Sequence, residues 1–181
     1  MTFPCMQRWR PVRARSARRG LPGVVSRELA PAHVIAVASP AYLEGRRRPK
    51  DPSGLEQFDG IVMRSSRTGR MRQWVTRNAA GALAPAVFTE TIVLNEPVTL
   101  CRAAQLGLGV ALAAVPEALP YLESGALVRL LPQWYADLGS MSLCYASHAL
   151  LASKTRAFVG FVVEAFRRPR LARRVTGGAC A

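Results

Sequence analysis

The sequence predicts an α/β fold, and three observations carry that prediction. Strand-like apolar runs alternate with helix-like segments between residues 24 and 167, the order that builds a sheet with helices packed on it and mostly parallel pairing. The stretch 87–116 reads strand, helix, strand without interruption, which normally sets two parallel strands beside each other through a right-handed crossover. Half of the 181 residues are apolar, enough to bury a core and too many for a disordered polymer.

In chain order, Met1 to Arg19 carries six arginines and no acid, has no period of 2 or 3.6, and predicts a disordered basic leader. Val24 to Leu29 predicts a short strand and His33 to Ala38 a buried one. Ser39-Pro40 starts a short helix ending near Glu44, because Ser accepts from a first-turn N–H and Pro fits the first helical position. Arg46 to Lys50 is a basic loop, and Ser53 to Gln57 a second short helix. Gly60 to Arg64 reads as a strand that leads into the hydroxyl-rich loop Ser65-Ser66-Arg67-Thr68-Gly69. Gln73 to Arg77 is a strand around Trp74, Asn78 to Ala84 a turn, and Val87 to Leu94 a strand.

Asn95 then has the chemistry to cap the next helix, with Glu96 and Pro97 in its first turn. Gly107 and Gly109 stop that helix, and Val110 to Val115 is a buried strand. Pro116 to Ser124 is a helix closed by Gly125, Leu127 to Leu131 a strand, Pro132 to Gly139 a connector, and Ser142 to Ala146 a strand. Ser153 to Arg167 is the last helix, with Phe158, Phe161, Val162 and Ala165 as its apolar stripe.

Charge and motifs exclude several classes of function. The net charge of +14 divides into +9 over residues 1–50, +1 over 51–163 and +4 over 164–181, so the core is nearly neutral and the basic excess lies at the ends. Such ends favour phosphates only unspecifically. The apolar window Ala103 to Val115 is shorter than the roughly 20 residues of a membrane span, so no membrane partner is expected. No apolar segment follows the N-terminal arginines, so a secretory signal is not supported. Cys5, Cys101, Cys144 and Cys180 lie far apart without a Cys-x-x-Cys pair, and His33 and His148 are the only histidines. That spacing provides no metal site, and Cys101 and Cys144 read as buried thiols in a reducing cytoplasm.

Gly107-Leu-Gly109 follows a helix and precedes a strand, the reverse of a dinucleotide fingerprint, so no cofactor is expected. No nucleophile elbow occurs and nothing in the sequence brings either histidine to Ser65, Ser66 or Ser142, so no catalytic residue and no enzyme are predicted. The remaining signal is binding. Ser65, Ser66 and Thr68 follow one strand and Asn95 follows another at a helix start. Hydroxyl, amide and free backbone N–H groups of this kind hold a carboxylate or another polar small molecule, and ordinary turn chemistry is the alternative explanation.

Several motifs in register resemble the C-terminal effector-binding half of LysR-type transcriptional regulators. They are Val37-Ala-Ser-Pro-Ala-Tyr-Leu43, then Arg-Pro and the segment Leu55 to Asp59; Trp74; Asn95 ahead of a helix; and Ala103-Ala-Gln-Leu-Gly-Leu-Gly-Val-Ala. Val115-Pro116, Gly125 to Trp134, and Arg156-Ala-Phe-Val-Gly-Phe161 complete the series. The resemblance covers residues 20–167, leaving 168–181 as a basic tail, and it implies a periplasmic-binding-protein-like fold of two Rossmann-like subdomains. Residues 40–131 would be a largely complete second subdomain, and 24–38 with 141–167 the remnant of the first. It implies an effector cleft walled by Ser65, Ser66, Thr68 and Asn95, a small-molecule effector, and homo-oligomers or assemblies with full-length family members. DNA would be reached only through a winged helix-turn-helix, which no pattern before Gly20 supplies, so a truncated gene, a frameshift remnant or a misplaced start is expected. The alternative is a stand-alone binding module or a dimerisation partner without DNA binding of its own.

Overall fold

The structure, a computed structural model, describes residues 24–65, 68–146, 152–167 and Thr176. The expected leader 1–19, the tail 168–181 apart from Thr176, Ser66 and His148 lie outside the described residues. The strands are β1 (Val24–Ala38), β2 (Asp59–Met63), β3 (Trp74–Asn78), β4 (Leu83–Ala86), β5 (Thr89–Leu94), β6 (Val110–Ala114), β7 (Val128–Leu130) and β8 (Trp134–Ala146). The helices are α1 (Pro40–Leu43), α2 (Pro97–Gln105), α3 (Val115–Glu123) and α4 (Ser153–Arg167), with a 3₁₀ turn over Pro52–Gln57.

All eight strands form one sheet in the order β4-β3-β8-β1-β6-β2-β5, with β7 also on β1. The expectation of mostly parallel pairing is corrected here. Only β2 pairs in parallel, with β5 on one side and β6 on the other, and every other ladder is antiparallel. The strand–helix–strand unit β5-α2-β6 therefore exists, but β2 lies between its two strands rather than the strands lying side by side. Local periodicity fixes the type of an element and says nothing about an insertion from elsewhere in the chain.

β1 is one strand where two short ones were expected. Its ladder with β8 shifts register between Glu28 and Ala30 and between Ala32 and His33, on either side of the regularly paired Pro31. The connector expected over 132–139 belongs mostly to β8, which runs unbroken to Ala146, and the expected turn 78–84 closes a β3–β4 hairpin. At α4 the buried contact runs through Val159, whereas Phe158 and Phe161 are exposed. Its inward line is Thr155, Val159, Val162 and Phe166, a second helical stripe that sequence spacing alone does not separate from the expected one.

Two cores sandwich the sheet. On one face Ile35, Val37, Ile61, Ala111 and Ala113 meet Leu100, Cys101 and Ala104 of α2 and Val115 and Ala118 of α3. On the other, Val34, Ala36, Val110 and Leu112 meet Leu43, Leu55 and Phe58. Alternation along β1 and β6 sends successive side chains to opposite cores. Gly107 and Gly109 do end the α2 segment. Gly107 takes φ +79°, and a Cβ on Gly109 would run into the carbonyl of Asp59, so the start of β6 passes directly against the start of β2.

Candidate functional site

β2, β5 and β6 run in the same direction, so their C-terminal ends share one edge of the sheet. At that edge Met63 is in register with Leu94, and the Arg64 N–H donates to the Leu94 carbonyl at 2.6 Å. The next residues are Ser65 on one chain segment and Asn95 on the other. The pairing thus brings together two groups that are thirty positions apart in sequence.

The loop after β2 is a closed turn. Arg64 bridges Met71, the Ser65 N–H donates to the Arg70 carbonyl at 2.9 Å, and the Gly69 N–H donates to the Ser65 carbonyl at 2.7 Å. The Thr68 N–H donates to Ser65 Oγ at 3.3 Å, and the Arg70 N–H to Thr68 Oγ1 at 3.5 Å. Both hydroxyls accept inside the turn and keep their own protons to donate outward. Ser65 is half-buried and Thr68 exposed. Past the turn the chain crosses the sheet edge to β3, where Arg72 lies 5.7 Å over the Trp74 ring.

Asn95 is exposed and does not cap α2, which corrects the expectation. The cap is Glu96, whose carboxylate accepts from the N–H of Val98 at 3.2 Å and from the N–H and hydroxyl of Thr99, each at 2.7 Å. The Glu side chain reaches round Pro97 to donors that the shorter Asn amide leaves alone. These bonds hold the Glu96 carboxyl below its ordinary range, Thr99 contributing most. Pro97 has no N–H and the Leu100 N–H goes to the Glu96 carbonyl, so the first turn of α2 is saturated. An anion therefore finds no vacant donor at the N-terminus of α2, and it meets a carboxylate instead. Asn95 remains as a neutral amide beside that carboxylate, with no hydrogen-bond partner among the described residues.

The antiparallel strands supply a second group that the sequence did not single out. β6 ends at Ala114 opposite Val34, so His33 sits just past the edge, level with the start of α3. His33 is buried and stacks on Tyr135 with ring centroids 4.2 Å apart, while Arg77 lies 5.2 Å over the same ring. Burial lowers the His33 pKa, Asp137 raises it, and Arg77 and Arg129 lower it further. The only signal for this group in the sequence was a histidine in an apolar run, and its neighbours come from three other strands, β3, β7 and β8. Among the described residues, no three His, Cys, Asp or Glu side chains are grouped to hold a metal.

Of the two cysteines within the described residues, Cys101 is buried as expected, and its thiol is pushed up to about 11 by burial and, less strongly, by Glu117 and Glu96. Cys144 is exposed, which corrects the expectation of a buried thiol. It lies in the last part of the pairing of β8 with β1, where its Sγ is 3.6 Å from Ser26 Oγ.

A mixed sheet crossed by two long antiparallel strands, with helices on both faces, is the architecture of periplasmic-binding-protein-like effector domains. The family model for the LysR substrate binding domain matches residues 14–167, and the chain belongs to that family. An HTH-type transcriptional regulator of Xanthomonas campestris pv. campestris (strain 8004) is 27% identical over 141 residues, which are 77% of this chain and 41% of that protein. A putative transcriptional regulator of Pseudomonas aeruginosa is 30% identical over 142 residues, 77% of this chain and 45% of the relative. The chain thus spans less than half the length of these curated relatives. Among solved structures, the regulatory domain of AphB from Vibrio vulnificus, treated with cumene hydroperoxide, superposes with a TM-score of 0.67 at 24% identity, covering 78% of this chain and 68% of that one. The CrgA regulatory domain from Neisseria meningitidis gives 0.61 at 20% identity, over 80% and 70%. The chain is an effector-binding domain of the LysR type of transcriptional regulator.

Proposed function

We propose that this domain binds a small polar effector at the C-terminal edge of β2 and β5, through Ser65, Ser66, Thr68 and Asn95. The observation that carries the reading is the Arg64 N–H bond to the Leu94 carbonyl, which roots the hydroxyl loop beside Asn95. Among the described residues, the Ser65 and Thr68 hydroxyls and the Asn95 amide are open to donate there, which suits a small polar effector.

In this reading residues 40–131 form the second subdomain, and 24–38 with 141–167 belong to the first. Effector binding biases the closure of the two and the arrangement of subunits in an oligomer, and that shift reaches DNA through a helix-turn-helix unit outside the matched residues. The domain itself makes no sequence-selective DNA contact, turns over no substrate and works in the cytoplasm. Among the described residues, no helix is long and apolar enough to cross a membrane.

The test is a thermal-shift screen of small hydroxy acids, amino acids and polyols against the wild type and a Ser65→Ala/Asn95→Ala variant. A hit whose stabilisation is lost in the variant supports the site. Equal shifts in both proteins place binding elsewhere. Sequence-selective, salt-resistant gel shifts by this chain would reject the assignment of DNA reading to another unit.

A further inference from the structure

The turn after β2 is a concentration of positive charge. Between Asp59 and Glu90 the sequence has five arginines, Arg64, Arg67, Arg70, Arg72 and Arg77, and no acid. Arg64, Arg70 and Arg72 are exposed on the turn itself. The bridge between Arg64 and Met71 decides how these side chains are distributed. It sets Ser65 opposite Arg70 and Met63 opposite Arg72, and the Arg72 N–H donates to the Met63 carbonyl at 2.7 Å. Opposed residues of an antiparallel pair project to one face, with Cβ atoms about 5 Å apart, and successive residues alternate. Arg70 and Arg72 therefore share the face of Ser65, and Arg64 lies on the other. Arg72 is further placed by the Trp74 ring, 5.7 Å below its guanidinium.

The hydroxyls add the same chemistry. Ser65 Oγ accepts from the Thr68 N–H and Thr68 Oγ1 from the Arg70 N–H, so each oxygen uses a lone pair inside the turn and can direct its proton outward. A guanidinium has five donors and no acceptor. The face thus offers donors and positive charge, and the group that matches it is an acceptor-only anion, a carboxylate or a phosphate. Along the sheet edge the charge changes sign, because Asn95 stands beside the Glu96 carboxylate. Building on the effector site proposed above, we infer that the effector carries a carboxylate or phosphate, that Arg70 and Arg72 take this group, and that an uncharged part of the same molecule lies at Asn95. The two arginines thereby select for charge and fix which end of the molecule enters the turn.

The test measures binding to the full chain for matched pairs: glycerate with glyceramide, glycerol 3-phosphate with glycerol, and likewise through the other hydroxy acids and polyols of the thermal-shift screen. The charged member of at least one pair binds, and its uncharged partner binds roughly tenfold or more weakly, the range of a charge-assisted hydrogen bond. A carboxylate hit or a phosphate ester hit names the anion. Arg70→Gln/Arg72→Gln weakens the charged member by a similar factor and brings it level with its uncharged partner. Arg64→Gln, which removes a charge from the other face, leaves binding within about twofold, since an exposed charge off the site contributes little. No charged hit, an uncharged partner that binds as well, an Arg70→Gln/Arg72→Gln chain that binds as the wild type does, or an equal loss in Arg64→Gln would overturn the inference. Loss in Ser65→Ala/Asn95→Ala with none in Arg70→Gln/Arg72→Gln keeps the effector site and rejects its anionic character. Loss in the arginine variant with none in Ser65→Ala/Asn95→Ala puts the anion outside the effector site and also overturns the inference. If the double arginine variant does not fold, Arg70→Gln alone decides.

Discussion

The N–H of Arg64 reaches the carbonyl of Leu94 at 2.6 Å, and this bond ties the end of β2 to the end of β5. Ser65 and Asn95 inherit fixed positions from it. Ser65→Ala and Asn95→Ala should each weaken effector binding up to about tenfold, the loss of one hydrogen bond of roughly 0.5–1.5 kcal/mol. Far-UV circular dichroism should stay unchanged. Titration of a screening hit by calorimetry checks both.

Glu96 is the cap of α2, so Glu96→Ala should lower Tm while Asn95→Ala leaves it nearly unaltered. The folded pKa of Glu96 is depressed, so its contribution is present above the unfolded value near 4.5 and is lost as pH falls through the folded value. Melting curves of the wild type and Glu96→Ala between pH 3 and 7 should converge at the acid end.

Gly109→Ala should destabilise by at least 1–3 kcal/mol, to order of magnitude. The position has φ +150°, and the added Cβ meets the Asp59 carbonyl on a neighbouring strand that has no room to yield. Urea denaturation reads the loss directly. Gly125→Ala, also at positive φ but with open space around it, should cost less.

His33 is held neutral by burial, so its folded pKa lies below that of the unfolded chain near 6.5. Its contribution is complete above 6.5 and is lost as pH falls towards the folded pKa, because the unfolded chain takes up the proton first. One such group gives a slope of no more than about 1.4 kcal/mol per pH unit. His33→Gln should flatten the dependence of stability on pH just below 6.5, measured by urea midpoints.

Cys101 and Cys144 should differ sharply in reactivity. Alkylation of the native protein at pH 8 should label Cys144 and spare Cys101, whose thiol is fully buried and titrates at about 11. Unfolding in guanidinium should release Cys101. Peptide mapping before and after unfolding gives both numbers.

The sequence by itself determined most of the elements and their order, though not β4. Periodicity and punctuation marked α4 to the residue, placed β2, β5, β6 and α2 within one or two residues, and identified Gly107 and Gly109 as a helix stop. Those signals are local, since they depend on propensity, caps and φ within a few positions. The motifs also carried the LysR resemblance, which the family match bears out. Tertiary structure decided what local signals do not encode. β2 enters between β5 and β6, β1 and β8 become single long strands by pairing with each other, and Val159 rather than Phe158 turns inward where α4 packs on β1. At the site, the residue types after β2 and β5 were legible, whereas the switch of the cap from Asn95 to Glu96 depends on the reach of a side chain round Pro97. The His33–Tyr135–Arg77 stack joins three strands at their crossing, a juxtaposition that only long-range pairing creates.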